Sequence, residues 1–412
     1  MATTQPRTEI AAHTVTAPRV ASIDVFRGLT MIVMIFVNDL ASIKGLPWWT
    51  YHAPTRADVM TYVDMVFPAF LFILGMAIPL ATEQRLRKDP SVLHLWGHIL
   101  LRCASLLILG LILTNASAGD SSLMGIGTRV WPIIALLGAM LFLQVYPQSE
   151  KYKTLFNVLR GIGLVTVAVM FAIFRRTAKD GGVAWIRTAY PEILGLIAFT
   201  YLVVCLLYLP TRRWTWAPLA WFFALMGFCA ACAANWITFT RHLSLYQWPF
   251  SNGAMAGIAM AGVATSLVFV GPTSLRWPAF NDKLKLALPF ATICFVAGRL
   301  LTPLGISKNR ATPTWCFYCV GCFVLIFVLL YWICDVKRHT RWAAFTKPAG
   351  ANTLLTYLLP DLWYFAISAL GITWLQSHFA WGVPGVFRAI AFTALILALA
   401  QLLTRAKVRL QL

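Results

Sequence analysis

Asp24, Arg27, Asn38, His52 and Asp64 lie within or beside the first two apolar runs of the chain, where ionisable groups are costly unless they are used. His52, in Trp48-Trp49-Thr50-Tyr51-His52-Ala53-Pro54-Thr55, is the one side chain of this group that exchanges a proton near neutral pH, as a general base must. The same residue also reads as an ordinary hydrogen-bonded surface histidine. Asp64 opens the second run, where it either caps a helix or faces His52 and orients the imidazole. Asp24 and Arg27 are three apart, share a helical face and can pair; a helix cap beside a membrane anchor is the structural alternative. Asn38 ends the same helix, roughly 21 Å beyond Asp24 at 1.5 Å per residue.

Other candidates are scattered further along. Arg299 falls inside an apolar run and needs an anion, such as a phosphate or a neighbouring carboxylate. Lys308 and Asn309 stand together at the start of another run, where Lys308 either binds an anionic group or anchors at the interface. Cys316, Cys319 and Cys322 share a helical register, but with no histidine nearby they read as packing, and no metal site is expected. His94 and His98 are four apart with no evident carboxylate, which suits an interfacial helix.

The elements that must position these groups are membrane helices. Of 412 residues, 59% are hydrophobic and 12% charged, against roughly half and a quarter in a soluble domain, which excludes an ordinary water-soluble enzyme. The net charge of +20 does not gather into one patch, so nucleic acid is not an expected partner. Twelve apolar runs predict an all-α polytopic bundle of about 12 transmembrane helices. They cover about 25–41, 64–81, 99–115, 129–146, 158–174, 191–209, 217–238, 253–271, 286–304, 315–334, 350–370 and 385–404. With the N-terminus inside, 22 of the 34 Lys and Arg residues fall on the cytoplasmic side and 11 outside, which places both termini in the cytoplasm. Arg175, Arg176, Lys179 and Arg187 run against that bias. Residues 1–20 read as a disordered cytoplasmic tail and 21–412 as a single transmembrane domain.

Arg19–Gly28 (R-V-A-S-I-D-V-F-R-G), Phe36-Val37-Asn38, the histidine loop and Asp64–Gly75 (D-M-V-F-P-A-F-L-F-I-L-G) together form an ordered set. It continues in Gly305-Ile306-Ser307-Lys308-Asn309, Thr312-Pro313-Thr314, Cys334-Asp335-Val336 and Lys347-Pro348-Ala349-Gly350-Ala351-Asn352. The set covers about a third of the chain and resembles the heparan-alpha-glucosaminide N-acetyltransferase family and its bacterial relatives. Departures are local: Arg129-Val130-Trp131-Pro132 keeps only part of a basic family segment, Asn252-Gly253 lacks an acidic element, and Leu359-Pro360-Asp361 replaces a His-Glu pair.

The resemblance implies a transmembrane acyltransferase in a bacterial cytoplasmic (inner) membrane. Acetyl-CoA would be the donor and a glycan or amino sugar on the outer face the acceptor. His52 would act as base or transient acyl carrier, Asp64 would orient it and Asn38 would hold the thioester carbonyl. Lys308, Asn309 and Asn352 would line the cavity, Arg299 would meet a CoA phosphate, and Asp24 with Arg27 would stabilise the cytoplasmic end. The expected partners are acetyl-CoA, a saccharide acceptor, the bilayer and a second copy of the chain in a homodimer, with no metal. A secondary transporter of a small anionic or sugar-like solute is the alternative, since a twelve-span bundle with intramembrane charges also suits a carrier.

Overall fold

A computed structural model describes residues 20–188, 192–242, 251–270, 274 and 276–410, so residues 1–19 of the expected tail lie outside the described residues. The described chain is almost wholly helical: α1 (Ala21–Leu40), α2 (Val66–Lys88), α3 (Val92–Asn115), α4 (Ser121–Met124), α5 (Val130–Leu143), α6 (Lys153–Ile173), α7 (Glu192–Thr211), α8 (Ala217–Ala233), α9 (Ala254–Phe269), α10 (Phe280–Leu300), α11 (Pro313–Tyr331), α12 (Lys347–Ala351), α13 (Thr353–Ala369), α14 (Trp374–His378) and α15 (Gly382–Arg405). A two-residue antiparallel ribbon, β1 (Arg176–Thr177) with β2 (Val183–Ala184), decorates the connection after α6. Seven helical segments are long and apolar enough to cross a membrane, and the protein is an all-helical integral membrane protein. The other long helices, α5, α8, α9, α10 and α13, also sit at expected apolar runs.

Helix starts follow from the need to satisfy unpaired backbone amides. Pro68 and Pro313 fall in first turns, where no amide partner is lost, and the Ser91 hydroxyl accepts from the His94 amide at 3.3 Å. At α1 the cap comes from far away: the Asp335 carboxylate accepts from Ala21 and Ser22 N–H, both at 3.0 Å. Asp24 therefore does not cap this helix.

The centre is formed by α2, α9, α1 and α11. Nearly every residue of α9 is buried, as expected of a helix apolar on all faces. It lies against α2 at glycine contacts, where a Cβ on Gly75 would stand 1.8 Å from the Ala259 carbonyl oxygen and one on Gly262 2.0 Å from that of Phe72. Helices α3 with α7, α5 with α6 and α10 with α11 pack around this centre, while α12, α13 and α15 close on α1. Trp48, Trp49, Trp214, Trp216, Trp374 and Trp381 are exposed at helix ends, which suits interfacial belts. One end of the bundle gathers the α1–α2 and α10–α11 connections; the start of α1, the 332–352 segment and the C-terminal residues meet at the other.

Candidate functional site

After α1 the chain runs through a connection and re-enters the bundle by a single 3-10 turn, Tyr62–Met65, in which the Asp64 carboxylate folds back over the preceding loop. Its Oδ2 accepts from the Thr61 N–H at 3.0 Å and the Ala53 N–H at 3.1 Å, and its Oδ1 lies 2.8 Å from His52 Nδ1. Asp64 is 2% exposed, whereas the His52 side chain is 45% exposed. An ionised carboxylate offers only lone pairs, so the proton belongs on Nδ1 and Nε2 is left as the outward-facing acceptor. Capping and contact with His52, alternatives on sequence grounds, are both made by this one carboxylate. The loop is tied further by the Thr61 hydroxyl donating to the Tyr51 carbonyl (2.8 Å), the Tyr51 hydroxyl donating to Ile43 (2.7 Å) and the buried Trp315 indole donating to the Asp64 carbonyl (3.2 Å).

The α10–α11 connection closes over the ring from the other side. Lys308 Nζ stands 3.4 Å from His52 Nδ1 and 3.5 Å from Nε2, the Asn309 amide donates to the Thr55 hydroxyl at 3.2 Å, and Arg310 pairs with Asp58. Burial pushes the Lys308 ammonium below its ordinary value, with the Asp64 charge opposing the shift. An accessible imidazole lone pair beside a partly desolvated cation can take a proton from an amine or hydroxyl and stabilise a developing oxyanion.

From the opposite end a cavity of about 380 Å³ reaches into the bundle, lined among others by Arg27, Met31, Phe70, Arg102 and Tyr357. Phe70 is six residues, about 9 Å along the helix, from Asp64. Asn38 lies seven residues beyond Met31 and eleven beyond Arg27, positions that return to within about 20° of the same helical face. Its side chain is exposed, makes no hydrogen bond among the described residues, and is not among those that line the cavity.

Residues 19–251 match the family described as Domain of unknown function (DUF5009), more than half of the chain. The chain belongs to the DUF5009 family. It is also similar to the heparan-alpha-glucosaminide N-acetyltransferases of Homo sapiens, 34% identical over 125 residues, and Mus musculus, 32% identical over 126. These alignments cover 30% and 31% of this chain and 18% of each relative, so the chain matches under a fifth of the length of either protein.

In this DUF5009 protein the remaining expected site residues divide between the two ends. Asp24 and Arg27 pair at 3.3 Å, and Arg27 also borders the cavity. Asn352 does not join Lys308 and Asn309. Its amide donates to the Thr404 hydroxyl (3.0 Å) and the Val408 carbonyl (2.8 Å) and its oxygen accepts from Leu410 N–H (3.2 Å), so it is spent on the C-terminal residues. It belongs to the far end, where Gly350 packs on the Asp24 carbonyl, separated from His52 by the length of α1, about 30 Å. Arg299 lies in the last turn of α10, where helix carbonyls favour a cation, with its side chain on the outside of the bundle and in no ion pair among the described residues. His94 does have a carboxylate partner, Asp89, at 2.6 Å. Cys316 and Cys319 are wholly buried in α11, and Cys322 is partly buried.

Two polar groups escaped the sequence reading. Asp39, 3% exposed, pairs with Arg388 at 3.3 Å and accepts from the Tyr364 hydroxyl, joining α1, α13 and α15. Arg388 sits inside the apolar run of α15, which is the signal that could have found it. Glu192 at the start of α7 takes the Tyr357 hydroxyl at 3.2 and 3.1 Å beside the cavity, and a lone Glu opening an apolar run carried the same signal.

Proposed function

We propose that this protein is a membrane acetyltransferase that takes the acetyl group of cytoplasmic acetyl-CoA and delivers it to an amino-sugar or glycan acceptor at the outer face. The observation that carries the reading is the His52–Asp64–Lys308 group at one end of the bundle, with a cavity rising toward it from the other. The names of the two relatives support the reaction class. Twelve crossings with both termini inside would put the Arg27 end of the cavity in the cytoplasm and His52 outside.

In this scheme Nε2 of His52 takes a proton from the acceptor N–H or O–H as its heteroatom forms a bond to the thioester carbon. Lys308 and Asn38 stabilise the oxyanion, the C–S bond breaks, and the proton on Nε2 passes to the departing CoA thiolate. Asp64 keeps Nδ1 protonated throughout. The cavity is roomy enough and apolar enough for a pantetheine-like arm, with Arg27 and Arg102 at its basic end.

The test is acceptor-dependent release of free CoA by the full chain in nanodiscs, over a panel of amino sugars and glycans, with His52→Ala in parallel. Turnover that vanishes in the variant is the expected result. Turnover retained in His52→Ala overturns the role of this group. If no acyl-CoA binds and a solute crosses a proteoliposome instead, the protein is a carrier.

A further inference from the structure

At the end of the bundle opposite His52, a groove of about 360 Å³ is lined by Arg85 from the last turn of α2, His98 and Arg102 from α3, and Arg160 from α6. Leu101 and Phe142 are among its apolar walls. The nearby carboxylates are engaged elsewhere: Glu83 pairs with Arg87 at 2.6 Å and Asp89 with His94 at 2.6 Å. None of the three arginines has a carboxylate ion-pair partner among the described residues. The Arg102 Nε–H is buried with no hydrogen-bond acceptor, which is costly for a charged group.

Two of the guanidiniums lie over aromatic rings, Arg102 over Tyr201 at 4.7 Å and the exposed Arg160 over Tyr146 at 5.3 Å from the ring centres. A cation–π contact holds a guanidinium beside its ring without using its N–H donors, which can still bind an anion with several oxygens. Arg102 also lines the neighbouring cavity, so groove and cavity meet at this one side chain.

We infer that the Arg85–His98–Arg102–Arg160 groove binds the phosphate of an amphiphilic ligand, with the apolar walls taking the adjoining chain. Phosphate matches the planar, bidentate donors and supplies the acceptor that Arg102 Nε–H lacks. The ligand comes either from the bilayer, as an anionic phospholipid, or from solution, as a nucleotide-bearing thioester. The inference is independent of transfer at His52, because it is read by binding without turnover.

The full chain is placed in nanodiscs of phosphatidylcholine alone, and binding of pyrophosphate and of CoA is measured by titration calorimetry. A parallel sample, purified with added phosphatidylglycerol, is examined by native mass spectrometry for retained lipid. Arg102→Gln and the exposed Arg160→Gln are compared with Arg213→Gln, an exposed cation outside the groove. The expected result is binding of at least one probe, weakened about tenfold or more by either groove variant and unchanged by Arg213→Gln. Retained phosphatidylglycerol alone identifies the bilayer as the source; pyrophosphate or CoA binding identifies a soluble ligand. Absence of binding by every probe, or equal binding by folded Arg160→Gln and the unaltered protein, overturns the inference.

Discussion

Asp64→Asn tests the geometry at its most specific point. The carboxylate serves two backbone N–H donors through Oδ2 and the imidazole through Oδ1. An asparagine can keep only one of these arrangements. Turning its NH2 toward Thr61 and Ala53 would leave two buried amide donors unmet, at about 1–3 kcal/mol each, so its oxygen stays with them and its NH2 faces His52. Nδ1 must then accept, and the imidazole proton moves to Nε2. The base is lost while the loop keeps its ties. General-base catalysis contributes about 10²–10⁴-fold, so kcat for CoA release should fall by that order with KM within about twofold. Stability should drop by only about 1 kcal/mol, the loss of charge assistance. His52→Ala combined with Asp64→Asn should be no slower than His52→Ala alone, because the two act as one unit. A folded Asp64→Asn protein with kcat within about threefold of the unaltered one refutes the assignment.

Because burial lowers the Lys308 pKa from 10.5, the unfolded chain binds more protons between the lowered value and 10.5, so stability rises with pH across that window. Lys308→Met should abolish that rise in chemical-denaturation titrations; activity should fall as the ammonium deprotonates below 10.5, a fall that Lys308→Arg should remove from the pH–rate profile. Arg388→Met strands the buried Asp39 carboxylate and should cost about 3–5 kcal/mol in thermal unfolding, with part regained in the Asp39→Asn double variant. Gly262→Ala puts a Cβ 2.0 Å from the Phe72 carbonyl oxygen and must force α2 from α9, so melting temperature and kcat should fall together, whereas Gly97→Ala, in open space within α3, should leave kcat unchanged and not lower the melting temperature, since alanine favours the helix.

The helices were legible because a crossing needs a long apolar run, and the expected runs recur as helices. Helix starts were less so: the cap of α1 comes from Asp335, more than 300 residues away, and no local rule points there. Within the site, His52 and Asp64 could be paired from sequence because only twelve residues separate them across one loop. Lys308, 256 residues from His52, reads from its own position as an anion binder or interfacial anchor and from the family resemblance as lining the cavity, but nothing in the spacing makes it a neighbour of that ring. Asn352 shows the limit from the other side: a buried amide must be hydrogen-bonded, but its type does not say whether ligand or backbone supplies the partners. Arg388 falls inside an apolar run, but its pairing with Asp39 over 349 positions follows from packing that only the fold specifies.

The connection that carries His52 is poorly suited to opening and closing. Two of the donors satisfying the Asp64 carboxylate, Ala53 N–H and the imidazole, come from the loop just before it, and Thr61 N–H fixes the turn. Swinging that loop away would leave a carboxylate of 2% exposure short of partners, a loss of several kcal/mol against a total stability of about 5–15 kcal/mol. The α10–α11 connection is attached differently: Asn309–Thr55 and Arg310–Asp58 lie at the surface, where such contacts contribute about 1 kcal/mol or less. Movement at this end therefore belongs to the tip, Lys308 to Arg310, because the buried Ser307 N–H is held by the Thr312 hydroxyl at 3.0 Å and the Ala311 carbonyl by the Asn252 amide at 3.0 Å. Because Lys308 rides on that segment, displacing it would uncover the ring and withdraw the cation in one motion, while Asp64 keeps His52 in place.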